Sequence, residues 1–356
     1  MSDMTSNKRM YFIRNMESLS NENEKEKTIT EYEIIADANF VGELDYGPYY
    51  FTVWDVGMMN KEGDKRRLCL RVCKDTSLAI EQIRSAKKSG FYHGGDVVDE
   101  LVTLSSLFLR RRLQLGNIVR MEDKPRITSI HTGWIDKPLI EGKSSLSELR
   151  GWLELVEKLD GRYHQKFILA ARFYHQALLL IEEHPDMAYL SLISAIETLC
   201  QDYEIEIPPL SELDLNLSNL VNFISDEEKR IKLEEAILKR EGFLSRKFKA
   251  FIIDHIEEDF WTENREGPES ARIKPEELSN LLKEVYNQRS RTLHSGEPFP
   301  PSVYYSPLMR MEIPFGVTRG ERKWSKEELI PNPHFFERLV NHVLKTYLKR
   351  NSSEVL

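Results

Sequence analysis

The chain has 356 residues, with 50 Lys+Arg against 58 Asp+Glu, a formal net charge of −8 and only three cysteines. That is ample chain for a real core, and the composition excludes a collagen, a disulfide mini-protein and a wholly disordered chain. The acidic balance argues against a protein that coats nucleic acid through bulk charge, while leaving room for one local basic cleft.

Residues 1–28 are polar and charge-mixed, lack the apolar run of a signal peptide, and read as a mobile tail. Residues 29–142 read as a small α+β domain. Runs rich in β-branched and aromatic residues predict strands at Glu31–Ala38, Tyr49–Val56 and Arg67–Cys73, with turns at Gly47-Pro48 and Glu62-Gly63-Asp64. In the third run Leu68, Leu70 and Val72 alternate with more polar positions, the pattern of a strand buried on one face. Cys69 and Cys73 have no histidine near them and read as strand residues, not metal ligands. The odd cysteine count suits a reducing, cytoplasmic setting.

Tyr92-His93-Gly94-Gly95 reads as the turn into a helix that Asp96 caps, with Val97, Leu101, Leu104 and Phe108 as its apolar stripe. Arg110-Arg111-Arg112 end it, where cations complement the helix dipole. A further extended piece is expected over Arg126–Ile135.

Glu141–Ser145 reads as a linker, and residues 143–356 as a helical domain. Ser145 and Glu148 have capping-box spacing. Tyr163–Glu183 and Asp186–Tyr203, separated by His184-Pro185, predict an antiparallel helical hairpin. Phe167–Ile181 is the most apolar stretch, but it is too short to span a bilayer and is broken by Arg172 and His175, so no membrane association is expected. His164, His175 and His184 lack partner acids at metal-ligand spacing and read as core or surface histidines. Helices follow around Leu217–Ile224, Asp226–Arg240, Phe243–Asp259 and Pro275–Leu293, then a hairpin at Val303–Met311 and a last helix at Pro333–Arg350.

The Pro275–Leu293 helix carries the sharpest chemical signal. Its stripe Leu278, Leu282, Val285 continues by four onto Arg289, so a guanidinium sits where a buried face is predicted. Such an arginine needs an acid, an interface or an anion. His294 lies five residues on, about 140° around a straight helix, so the helix must end or bend near Thr292 for both to face one cleft. A guanidinium binds phosphate oxygens in a fork, and an imidazole moves protons near neutrality. With RNA the 2′-hydroxyl supplies an internal nucleophile, so this pair is a workable metal-free set. The plain alternative is a paired structural arginine and a C-terminal helix cap.

Arg289-Ser290-Arg291-Thr292-Leu293-His294 matches the Arg-x(4–6)-His motif of HEPN-domain ribonucleases. Its setting, Tyr286-Asn287-Gln288 before and Ser295-Gly296 after, resembles the site region of ApeA-like HEPN proteins. Ala188-Tyr189-Leu190 and Ala195-Ile196-Glu197-Thr198-Leu199 are similar to their second helix. The resemblance covers roughly Ser145–Lys349, and the first domain only loosely. It implies an all-α HEPN-type bundle after the α+β domain, a homodimer through the motif face, and a composite cleft lined by Arg289 and His294 of both subunits. It further implies metal-independent endoribonuclease activity with no cofactor, leaving a 2′,3′-cyclic phosphate. RNA, tRNA included, is the implied substrate, in bacterial antiphage defence by abortive infection under a phage-derived activator. Family members often carry Asn, Asp or His after the motif arginine; here Ser290 stands there.

Supporting residues follow. Glu197 matches the family acid and is suited to hold Arg289, with an exposed helix-face carboxylate as the alternative. Tyr286, one turn before Arg289, is suited to stack a base or to pack. Arg240, Arg246, Lys247 and Lys249 form the densest basic stretch, either a solvated face or a steering surface for RNA. Two further functions compete: a non-catalytic HEPN module that binds RNA or a partner protein, and a structural dimerisation protein.

Overall fold

The computed structural model describes residues 9–20, 26–54, 66–78, 96–122, 142–241, 243–263, 265, 267–305, 310–314, 317–319, 322–324 and 328–352. Helix α1 (Tyr11–Ser20) opens the described chain and buries Phe12, Ile13 and Asn15. The Asn15 amide donates to the Tyr49 hydroxyl (3.0 Å) and the Cys73 carbonyl (2.9 Å), and its oxygen accepts the Asp75 N–H (2.9 Å). The stretch expected to be a mobile tail therefore contains a docked helix. Phe12, Met16 and Leu19 have helical spacing, but the helix is only ten residues long and lies within a polar, charge-mixed segment.

Strands β1 (Lys27–Ala36), β2 (Asn39–Val41), β3 (Glu43–Tyr46), β4 (Tyr49–Val53) and β5 (Arg67–Asp75) precede helix α2 (Val97–Leu109) and strand β6 (Leu113–Met121). All of these strands except β2 build a five-stranded antiparallel sheet in the order β3-β4-β5-β1-β6. Gly47, at φ +56, makes the tight β3–β4 turn that Gly47-Pro48 predicted. Strand β6 slips register twice against β1. Gly116 lies at this irregular stretch because a Cβ there would stand 2.9 Å from Glu33 Oε2, and Glu33 is held, fully buried, in an ion pair with Arg67. The expected turns at 62–64 and 92–95 and the extended piece at 126–135 lie outside the described residues.

Asp96 caps α2 as expected, accepting the N–H groups of Val98 (2.8 Å) and Asp99 (3.3 Å). The helix is buried on every face except at Asp99, not along one stripe, because it lies between the sheet and the helical half. The three arginines after it do more than complement a dipole. Arg110, in the left-handed region at φ 51, bonds Glu337 in a fork (2.5 and 3.2 Å). Arg111 Nε donates to Ser144 Oγ at 2.6 Å, and Arg112 pairs with Asp37 (3.6 Å) and Glu182 (2.7 Å).

The expected linker is strand from Lys143: β7 (Lys143–Ser145) pairs in parallel with β2. Ser145 makes no capping bond; its hydroxyl is 2.7 Å from that of Ser147. Then come α3 (Leu149–Glu157), α4 (Gly161–Leu180), α5 (Pro185–Cys200), α6 (Leu210–Leu213), α7 (Leu215–Asn222), α8 (Glu227–Glu241), α9 (Leu244–Asp254), α10 (Glu258–Thr262) and α11 (Pro275–Ser295). A short hairpin, β8 (Val317–Arg319) and β9 (Arg322–Trp324), precedes α12 (Pro333–Asn351). Of the hairpin expected at 303–311, residues 306–309 lie outside the described residues, and a 3-10 turn occupies Pro301–Val303.

Helices α4 and α5 form the antiparallel hairpin the sequence predicts, and α12 packs across both, with Tyr189 stacked on Phe336 at 4.6 Å. One continuous buried cluster runs from Met10, just before α1, through the sheet and α2 to Leu348 on α12. The α+β half and the helical half thus share a core. No helix among the described residues is long and apolar enough to cross a membrane.

Candidate functional site

Helix α11 begins at Pro275, whose missing N–H costs nothing in a first turn, and Glu277 accepts the Lys274 N–H at 2.9 Å. Leu278, Leu281, Leu282 and Val285 seat it on the core. The stripe ends on Gln288, which is 1% exposed. Its amide donates to the Pro298 carbonyl (3.0 Å) and Thr292 Oγ1 (3.2 Å), pinning the chain beyond the helix to the helix itself. Sequence reading passed over Gln288; the three-residue step from Val285 was the available signal.

Arg289 lies beside this seam with its side chain 24% exposed. Its Nη2 donates to Glu197 Oε2 at 3.1 Å, which links α11 to α5. The guanidinium carbon also stands 5.7 Å from the centre of the Tyr286 ring, and that ring packs on Phe248 of α9 at 5.4 Å. Burial, and then the neighbouring Glu197 carboxylate, push the Tyr286 hydroxyl up to about 12. The second Glu197 oxygen is buried and accepts no hydrogen bond from any described residue. Glu197 is thus no exposed helix-face acid: it, Tyr286 and Arg289 form one contiguous group.

His294 is elsewhere on the helix surface. α11 continues unbroken to Ser295 and ends at Gly296, whose φ of 67 lets its N–H reach back to the last carbonyls. The bend required for one chain to bring Arg289 and His294 together is absent, and the side chains leave the helix about 140° apart. His294 is exposed and has no hydrogen bond or ion pair to a described residue; Leu293 beside it is 53% exposed. Ser290 is half-buried. Arg291 is engaged locally, by Gln288 Oε1 (3.0 Å) and the carboxylates of Glu284 and Glu297 (both 3.8 Å).

Three of the four basic residues fall on α9, the helix that flanks Tyr286. Arg246 is exposed, Lys249 half-buried, and Lys247 is tied to the Gln201 carbonyl at 2.7 Å. The Arg240 side chain lies outside the described residues. Lys247 also borders a cavity of about 400 Å³ that includes Asp202 and Glu204, so the charge there is mixed.

His164 and His175 are core histidines, each hydrogen-bonded to a backbone carbonyl at 2.7 Å and held below the ordinary imidazole range by burial. A group that sequence reading missed is Glu257, Asp259 and His342, whose donor atoms lie within 4.8 Å of one another. The Nε2 of His342 already accepts the Glu257 N–H at 3.1 Å, which uses the lone pair that a metal would need.

Comparison with protein-family models, with curated proteins and with solved structures finds no match for this chain.

Proposed function

We propose that this protein is a HEPN-type endoribonuclease that cuts RNA, tRNA included, without a metal, from a composite site made by two copies of the chain. The observation that supports this reading best is the preset Arg289. Glu197 and Tyr286 fix its guanidinium at the surface edge of the core, and the free imidazole of His294 lies about one and a half turns further on. Because the two side chains diverge on one straight helix, a single chain does not complete the set. A second copy docked along α11 would, with the exposed Leu293 as apolar contact between them.

In such a cleft His294 takes the proton of the 2′-hydroxyl, which then attacks the adjacent phosphorus. Arg289 donates to the non-bridging oxygens as their charge grows. The 5′-oxygen leaves with a proton from the second His294, giving a 2′,3′-cyclic phosphate and a 5′-hydroxyl. An antiphage role through growth arrest, switched on by a phage-derived activator, extends this proposal and rests on the family resemblance alone.

The Glu197 ion pair favours one competing reading, a module that binds RNA or protein without cutting, since it neutralises the guanidinium. Sedimentation and RNA binding separate the two. The ribonuclease reading expects a dimer that Leu293→Asp dissociates and that releases RNA products in EDTA. A monomer, or a dimer that retains intact RNA, would overturn it.

A further inference from the structure

A cavity of about 240 Å³ opens where α12 meets α3, α10 and the end of α2, and Arg289 is not among its lining residues. Cations dominate its lining. Arg338 shares the single carboxylate of Glu312 with Arg265, so one acid serves two guanidinium groups. Arg110 is matched one-to-one by buried Glu337. Lys345 has no hydrogen bond or ion pair to any described residue; its ammonium instead stands 5.1 Å from the centre of the Trp152 ring. Lys349 approaches the same ring at 5.7 Å. Phe108 stacks on Trp152 at 5.1 Å and fixes that platform.

Burial, and then the nearby Arg110 charge, lower the Lys345 ammonium to about 8 against the carboxylates of Glu337 and Glu148, which raise it, and an anion in the cavity would favour its charged form. Among the lining residues the acids are Asp259 and Glu263, both exposed, while buried Glu337 and Glu312 lie behind the lining arginines and are paired with them. Asp259 belongs to the three-residue group with Glu257 and His342, but the occupied Nε2 and the surrounding cations disfavour a metal ion there. A cavity below the roughly 300–1,000 Å³ of drug-sized pockets suits a small ligand.

We propose that this cavity binds a small phosphate-type anion, inorganic phosphate or pyrophosphate in size, with Lys345 and Lys349 as the charges that hold it against the Trp152 platform. The site does not depend on what Arg289 and His294 do. Titration of the full-length protein with inorganic phosphate and with pyrophosphate, by calorimetry and tryptophan fluorescence, tests it. The expected result is one saturable site per chain, weakened about tenfold or more by Lys345→Met and substantially retained by Lys345→Arg. Should Lys345→Met fail to fold, exposed Lys349→Met decides by the same loss. No saturation in the millimolar range, equal binding by both methionine variants, or Mn²⁺ binding lost in His342→Ala without phosphate binding would overturn the proposal.

Discussion

Replacing Glu337 with leucine strips a buried carboxylate from two partners at once. Glu337 is 3% exposed, and it accepts two bonds from Arg110, at 2.5 and 3.2 Å, and one from the Tyr174 hydroxyl. Burial alone would raise its pKa, but the Arg110 charge and hydrogen bonds override this and hold it below the ordinary carboxylate range. A depressed folded-state pKa means that the pair's stability is present at neutral pH and is lost only as pH falls through that low value. Glu337→Leu leaves the Arg110 guanidinium charged and unmatched at the joint between α2 and α12. Breaking one side of such a pair costs about 3–5 kcal/mol, whereas replacing both sides with apolar groups of similar volume is often near neutral. Urea unfolding at neutral pH should therefore show a large loss for Glu337→Leu and recovery of most of it in Arg110→Met/Glu337→Leu. A single-variant loss below about 1 kcal/mol, or a double variant as unstable as the single, would refute the assignment of this pair as a buried bridge between the two halves.

Three further outcomes are expected. Glu100 is buried and its carboxyl is pushed up to about 7 by burial, against the N–H groups of Phe12 and Tyr11 that lower it. A raised folded-state pKa makes its contribution complete below the unfolded value of about 4.5 and lost as pH rises through about 7, so Glu100→Gln should flatten the fall in stability between about pH 5 and pH 8. Equal pH slopes for the two proteins would contradict this. Phe12→Ala should cost about 3–5 kcal/mol by removing a fully buried ring, and an unchanged melting temperature would return α1 to the status of a free tail. Glu197→Gln should lower the Tyr286 pKa from about 12 without reaching the ordinary value, since burial remains; a tyrosine titration that does not move would separate Tyr286 from Glu197.

The strands β1, β4 and β5 were legible because their buried residues are β-branched and aromatic and are bounded by turn residues. β6 was not: Leu115, Ile118 and Met121 are exposed and Gly116 interrupts it, so its composition does not mark a buried face. β2, β3 and β7 are three or four residues long, too short to show a period. The arginines at 110–112 do end α2, but their partners, Asp37, Ser144, Glu182 and Glu337, are remote in sequence and only tertiary packing supplies them. Arg289 itself was legible. A guanidinium at the edge of a buried stripe demands an acid, and Glu197, 92 positions away, is that acid. The course of the helix end was not legible, since Ser295-Gly296 marks a stop without fixing whether the last turn bends before it.

The central claim is chemical, and the ends of the RNA products test it most directly. Wild type, Arg289→Ala and His294→Ala are each incubated with total RNA in EDTA, and the termini of any fragments are mapped. The account predicts fragments ending in 2′,3′-cyclic phosphate and 5′-hydroxyl from the wild type and none from either variant. Cleavage that persists in His294→Ala, or fragments bearing 5′-phosphates, would contradict it.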